Sequence, residues 1–387
     1  MQKKKLIKTY NKHNSFFETK SKYNSSLKET LERIKKIKTK IDKKYYNKNK
    51  SVFDNLFDDI FENKKAKKEI RFKLTQNVID EISAIIDDKD LAKYLVHRYR
   101  YEIFPTLKKL DQYPPYLQIE PSSICNYRCV FCFETDKSFT KKANGYMGQM
   151  KIDLFKEIID TVENKVEFIS LASRGEPLAC SDIDKMLEYT EGKFLNLKIN
   201  TNASLLNEKK CHSILSGGVK TVVFSADAAK EPLYSKLRVN GNLERVLKNI
   251  KLFKKIKETQ YPKKKIITRV SGVKYSKDQD INSMENLWGE LVDQVYFVNY
   301  NTWESIYETK PNKLLDPCSD LWRRMFIWWD GKINPCDSDY KSKLSTGDFF
   351  NGNLSKMWLS TNYQNLRNSH LNKKRQSISP CNSCIVL

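Results

Sequence analysis

The sequence predicts an α/β chain: a partial (β/α)6 barrel of TIM type, with an N-terminal helical extension and a small C-terminal domain that binds a metal cluster. Two observations carry this reading. From Tyr116 onward, short apolar runs alternate with amphipathic stretches at about one pair per 30 residues, the spacing of parallel βαβ crossovers. After residue 302 the alternation stops, and four cysteines gather in a short-segmented tail rich in Trp and Asn.

Residues 1–112 read as a basic helical extension. The first 24 look like an arm. Ser26 and Glu29 form a capping-box pattern, and Leu27, Leu31, Ile34, Ile37 and Ile41 make one helical stripe. Further helical periods run over 52–62, 66–86 and 90–103, with no strand alternation before Tyr116. Pro105, Pro114 and Pro115 mark the boundary. The barrel is expected over 113–302, with strands at 116–120, 166–172, 196–200, 220–225, 265–270 and 294–299. Helices are expected at 151–163, 181–190, 206–216, 242–257 and 280–292. Six units cannot close an eight-stranded barrel, so the sheet should stay open. Residues 303–387 form the cysteine-bearing domain.

Composition narrows the class. Hydrophobic residues make up 40% of 387, enough for a sizeable core. The nine cysteines are clustered and suit metal binding better than a disulfide scaffold. No apolar stretch follows the basic N-terminus as in a secretory signal, and no run approaches the ~18 apolar residues of a membrane span. A cytoplasmic location in a reducing compartment is therefore expected. The net charge is +23, and residues 1–50 hold 17 Lys/Arg against 4 Asp/Glu. A solvated Lys-rich face explains this most simply. Docking to an acidic partner or weak contact with an anionic membrane surface are the alternatives. No recognition motif points to nucleic acid.

The chemistry sits in the cysteines. Cys125, Cys129 and Cys132 follow the first predicted strand with the spacing C-x3-C-x2-C. The C-terminal ends of parallel strands are where such sheets place active sites. Three thiolates can hold three irons of a [4Fe–4S] cube and leave the fourth open. Zinc would want a fourth ligand, and the next histidine is distant His212.

This loop, with Phe131 just before its last cysteine, resembles the signature of the radical SAM superfamily. The resemblance implies that the open iron chelates S-adenosylmethionine. An electron then releases a 5′-deoxyadenosyl radical that abstracts hydrogen from a substrate. It further implies cofactor contacts at strand ends. Gly175 and Glu176 of Arg174-Gly175-Glu176-Pro177 would meet the methionine amino group, with Arg174 in place of the family's first glycine. Asn202 ends the third strand, and Ser225 and Asp227 the fourth, resembling a ribose and carboxylate motif. Arg238 would meet the methionine carboxylate, and Arg269 is a further inward candidate. Singly, each of these motifs is weak.

Cys318, Gly331 and Cys336 give C-x12-G-x4-C, and Cys381 and Cys384 a C-x2-C. Four cysteines can ligate a second [4Fe–4S] cluster or one zinc, and spacing alone leaves the two even. The arrangement resembles the SPASM/Twitch auxiliary domain, in its shorter one-cluster form. That implies a fully ligated auxiliary [4Fe–4S] cluster that can take an electron. It also implies a dehydrogenase acting on a hydroxyl of a sugar, amino sugar or cyclitol. Such a reaction needs a base, for which Asp337, Asp339 and Glu120 are candidates. A peptide-modifying enzyme and a non-enzymatic zinc-binding interaction protein are the alternatives. An acidic flavodoxin or ferredoxin is the expected electron donor. Cys180, near the barrel mouth, is a candidate hydrogen donor, and Cys211 reads as core.

Overall fold

A computed structural model describes residues 19–22, 25–61, 70–349 and 352–387. Six strands lie where the apolar runs predict them: β1 (Tyr116–Ile119), β2 (Phe168–Leu171), β3 (Asn196–Thr201), β4 (Val219–Ser225), β5 (Ile267–Lys274) and β6 (Gln294–Asn299). All are parallel, and each pairs with the next in chain order. The intervening helices cover the outside of the sheet. Ile152–Val162 buries Phe155, Ile158, Ile159 and Val162, and Leu243–Gln260 buries Val246, Ile250 and Phe253. Asn207, Asn242 and Asp280 cap their helices by accepting the N–H three residues on, satisfying donors that the first turn leaves unpaired.

The sheet does not end at β1. A seventh parallel strand, β7 (Arg324–Ile327), runs beside it in the register Arg324 to Tyr116 and Ile327 to Ile119. Strands β8 (Lys332–Asn334) and β9 (Gly347–Asp348) then continue it antiparallel. The sheet therefore runs across the boundary expected at 302/303. The sequence predicts no strand here because β7 belongs to no βα repeat. At the other edge Lys20–Ser21, expected as part of an arm, pairs antiparallel with Gln294–Val295. The rest of that arm, 1–18 and 23–24, lies outside the described residues. Among those described, the two edges are not joined, so the barrel is open.

The N-terminal helices form the floor. Ser26 accepts the Glu29 N–H, as the capping box predicts. The helix expected over 66–86 is shorter: 66–69 lie outside the described residues, 70–75 are not helical, and Thr75 caps Gln76–Ala84. Leu27–Lys38, Lys50–Phe61, Gln76–Ala84 and Asp88–Ile103 share a core that includes Ile34, Phe53, Val78 and Leu95. That core continues under the strands: Tyr94 packs on Phe168 at 5.7 Å and Tyr101 on Tyr116 at 5.6 Å. Arg269 on β5 donates to Gln294 and to Asn77 on a floor helix, so it faces the barrel bottom and not the cysteine loop. No helix among the described residues is long and apolar enough to cross a membrane.

Candidate active site

The first cysteine loop is pinned on both sides. Arg128–Cys129 pairs antiparallel with Arg238–Val239, and the Val130 N–H donates to Leu237 O at 3.0 Å. On the other side Asn202 donates to Asn126 Oδ1 at 2.9 Å, Asn126 donates to Ser204 at 2.8 Å, and Asn202 Nδ2 sits 4.0 Å from Cys125 Sγ. Phe131 packs against Tyr275 at 5.7 Å. Cys125, Cys129 and Cys132 all line a cavity of about 340 Å³ at the C-terminal ends of the strands.

The donor set suits a cluster. Burial pushes the Cys125 thiol up to about 12 and raises Cys129 and Cys132 as well, so a strongly cationic centre is needed to hold all three as thiolates. Among the cavity-lining residues there is no fourth cysteine and no histidine. Among the described residues no three Cys, His, Asp or Glu side chains close on a single ion. Three thiols on one wall can hold three irons of a cube and keep one coordination position for a ligand inside the cavity.

Glu176 is fully buried and joins two strand ends. It accepts from Thr201 Oγ1 at 2.6 Å and from the N–H groups of Asn202 at 2.7 Å and Leu178 at 3.1 Å. Burial raises its pKa, and these donors oppose the rise. Gly175 lets this loop lie against the cysteine loop: a Cβ there would stand 2.5 Å from Ser122 O and from Ser123 C. Both neighbours are backbone. Gly175→Ala is expected to cost about 1–3 kcal/mol of stability, as overpacking does, and to weaken S-adenosylmethionine binding. Chemical denaturation and equilibrium binding check this; an unchanged midpoint and affinity would contradict it.

Asp227 and Arg238 form a buried ion pair at 2.5 Å. Asp227 also accepts the Val273 N–H at 2.6 Å, and Arg238 Nη1 points at Cys129 Sγ from 3.9 Å. Burial works against the Arg238 charge, but Asp227, Cys129 and Tyr234 together outweigh it and raise its pKa. Ser225, Asp227, Arg238, Phe131, Gly175, Glu176 and Asn202 all line the same cavity.

The second cysteine group gathers where β7 leads out of the sheet. Arg375, almost fully buried, donates to the carbonyls of Cys381, Asp316 and Cys384, tying the C-x2-C turn to the segment before Cys318. The Cys318 N–H donates to His370 Nδ1 at 3.3 Å. Burial pushes Cys318 up to about 11 and raises Cys336 and Cys381, and the thiols reinforce one another. Four crowded thiols can satisfy one further cluster with no position left open.

The three candidate bases lie in different surroundings. Glu120 is fully buried, bound bidentately by Arg174 with contacts of 2.5 and 2.8 Å, and it also accepts from the backbone of Arg174 and Trp329. Asp339 accepts from Tyr307 at 2.6 Å and from the N–H groups of Lys343 and Leu344, and burial raises its pKa to about 6. Neither lines the cavity, whereas Asp337 does. Cys180 is buried with its thiol on Met150 O at 3.8 Å, away from the cavity, and Cys211 is core. Lys198, Tyr296, Trp303 and Arg324 also stand on the cavity wall and belong to no motif in the sequence. The inward alternation of β3 was the available signal for Lys198.

Known proteins supply the context. The radical SAM superfamily model matches residues 119–284, and that of SPASM, an iron–sulfur cluster-binding domain, matches 318–385. A GTP 3′,8-cyclase of Clostridium botulinum is 28% identical over 193 residues, 47% of this chain and 55% of that protein. An AdoMet-dependent heme synthase of Methanosarcina barkeri is 27% identical over 143 residues, 37% of this chain and 40% of that protein. The chain thus matches about half the length of these curated relatives, or less. Among solved structures, anSMEcpe with bound AdoMet superposes with a TM-score of 0.51 at 17% identity, covering 70% of this chain and 88% of that one, which shows a shared fold. The two domains imply a S-adenosylmethionine-binding [4Fe–4S] cluster and an auxiliary cluster. With these matches, the chain belongs to the radical SAM superfamily and carries a C-terminal SPASM iron–sulfur cluster-binding domain.

Proposed function

We propose that this radical SAM enzyme is a dehydrogenase that oxidises a hydroxyl of a sugar, amino sugar or cyclitol. The observation that supports it is the shared cavity: Asp337, the neighbour of Cys336, lines the same space as Cys125, Cys129 and Cys132. With S-adenosylmethionine and both clusters bound, these groups would supply a 5′-deoxyadenosyl radical and a one-electron acceptor, together enough for a two-electron oxidation. We assign Cys125, Cys129 and Cys132 to the first cluster, and Cys318, Cys336, Cys381 and Cys384 to the auxiliary one. Glu176, Asn202, Ser225, Asp227 and Arg238 would orient the cofactor. We assign Asp337, which lines the cavity, to accept the proton of the hydroxyl whose carbon has lost hydrogen. Glu120 and Asp339 instead hold structure together. An acidic flavodoxin or ferredoxin would deliver electrons, guided by the basic N-terminal region.

The test is anaerobic turnover of the reconstituted protein with neutral and anionic sugars, amino sugars and cyclitols. The expected result is 5′-deoxyadenosine and a carbonyl product in equal amounts. Asp337→Asn should lower kcat by about 10²–10⁴, the usual worth of a general base, with S-adenosylmethionine binding unchanged. A modified peptide as the sole product, or full activity in Asp337→Asn, would sink the corresponding part of the reading.

A further inference from the structure

The charged groups around the cavity are not all matched in pairs. Arg174 is paired with Glu120, and Arg238 with Asp227. Glu176 is bound by three donors. Lys198 is different: among the described residues no carboxylate lies within ion-pair range, and its ammonium lies over the Tyr116 ring, 5.5 Å from the ring centre. Arg324 approaches the same ring at 5.1 Å. Arg324 is only loosely held, 3.7 Å from Asp320 and 3.3 Å from the Tyr101 hydroxyl, and Asp337 also acts on its charge. Two cations therefore flank one aromatic ring deep in the barrel, one of them with no anion of its own. Burial pushes the Lys198 amine down to about 8, and Arg324 and Arg269 push it the same way.

Position says what this could serve. Lys198 lies on β3 four residues before Asn202, whose amide approaches Cys125. Four residues of strand span roughly 13 Å. Lys198 thus lies below the cysteine loop, on the inward face of β3, which carries Asn200 as well. A ligand held there by one end would extend upward toward the reacting zone. An oxyanion gains charge-assisted hydrogen bonds from an ammonium, and it also relieves the repulsion between two buried cations.

We propose that Lys198, backed by Arg324, anchors a carboxylate or phosphate group of the substrate. The inference rests on reading this cavity as the substrate site, and it narrows the substrate to an anionic molecule held by its charged end.

Lysine footprinting of the intact, cluster-loaded protein tests it. Reductive methylation of Lys198 would be followed by peptide mass spectrometry, alone and with inorganic phosphate, acetate or neutral acetamide. Exposed Lys185 serves as the internal control. Phosphate or acetate is expected to slow Lys198 modification by about tenfold, corresponding to occupancy of the site at ~90%, with acetamide and Lys185 showing no effect. Protection by phosphate alone identifies a phosphate ester, and by acetate alone a carboxylate. No protection by either, a Lys198 that the reagent never reaches, or full protection by S-adenosylmethionine itself would each overturn the proposal. Lys198→Met, with S-adenosylmethionine cleavage retained, should abolish turnover of an anionic substrate, and Lys198→Arg should restore part of it. Because footprinting reads bare anions, its failure would leave the dehydrogenase reading standing, to be judged by its own products.

Discussion

Cys129→Ala is expected to abolish reductive cleavage of S-adenosylmethionine while the protein stays folded and keeps its auxiliary cluster. Cys129 sits in the two-residue pairing with Arg238, so its backbone is held whatever its side chain. What disappears is one of three thiolates on the cavity wall. Two thiolates are too few to hold a cube that has an open iron. Iron should fall from roughly eight to about four per chain, by the count of four per cluster. Cys125→Ala and Cys132→Ala should behave alike. Retained cleavage in any of the three would show that the loop does not hold the reactive cluster. The reciprocal variant, Cys381→Ala, should also lose about four irons but should keep cleavage. The two losses are therefore separable on the same protein.

Arg174→Ala is expected to be among the most destabilising substitutions outside the cysteines. The guanidinium is 2% exposed and the partner carboxylate 0%, so the pair lies in a low-dielectric interior. Arg174 also donates to Tyr340 O at 3.0 Å and stacks over Trp328 at 4.4 Å. It thereby links the end of β2 to the segment that follows β7. Removing it leaves the buried Glu120 charge with only the backbone N–H groups of residue 174 and Trp329, which costs about 3–5 kcal/mol for a broken buried pair. Arg174→Lys keeps the charge but not the two-pronged geometry, so it should fall between. Removing both charges, as in Glu120→Gln with Arg174→Met, should recover much of the loss because no lone charge remains. Denaturant midpoints measure all three. A loss below about 1 kcal/mol for Arg174→Ala would mean that the pair is far better solvated than its burial indicates.

Arg174 also shows where sequence reading stopped. At the residue level it appears as a tolerated replacement for a glycine beside a turn. Its role depends on Tyr340, which is 166 positions away and which no local pattern connects to it. Glu120 has the same history: a carboxylate at a strand end reads as a candidate base, and its pairing with Arg174 is visible only in the fold. The cysteine loop was legible because its three cysteines are close in sequence and the spacing is itself the geometry. The six strands were legible because each repeats one apolar period before a helix. β7 was not, since it joins the sheet without a crossover helix, and its apolar run Met325–Trp329 looks like core of a separate domain. The floor helices were visible as helices, but the face they cover was not. Tyr94 and Tyr101 meet Phe168 and Tyr116 only through tertiary packing. Lys198 was hidden for a further reason: a lysine in an alternating strand ordinarily reads as the solvent side, whereas the inside of a barrel inverts that rule.

The central claim is tested most directly by incubating the anaerobically reconstituted, dithionite-reduced protein with S-adenosylmethionine and counting products. The account predicts 5′-deoxyadenosine and methionine in equal amounts, dependent on Cys125, Cys129 and Cys132. Intact S-adenosylmethionine alongside a fully assembled, reduced cluster would contradict it.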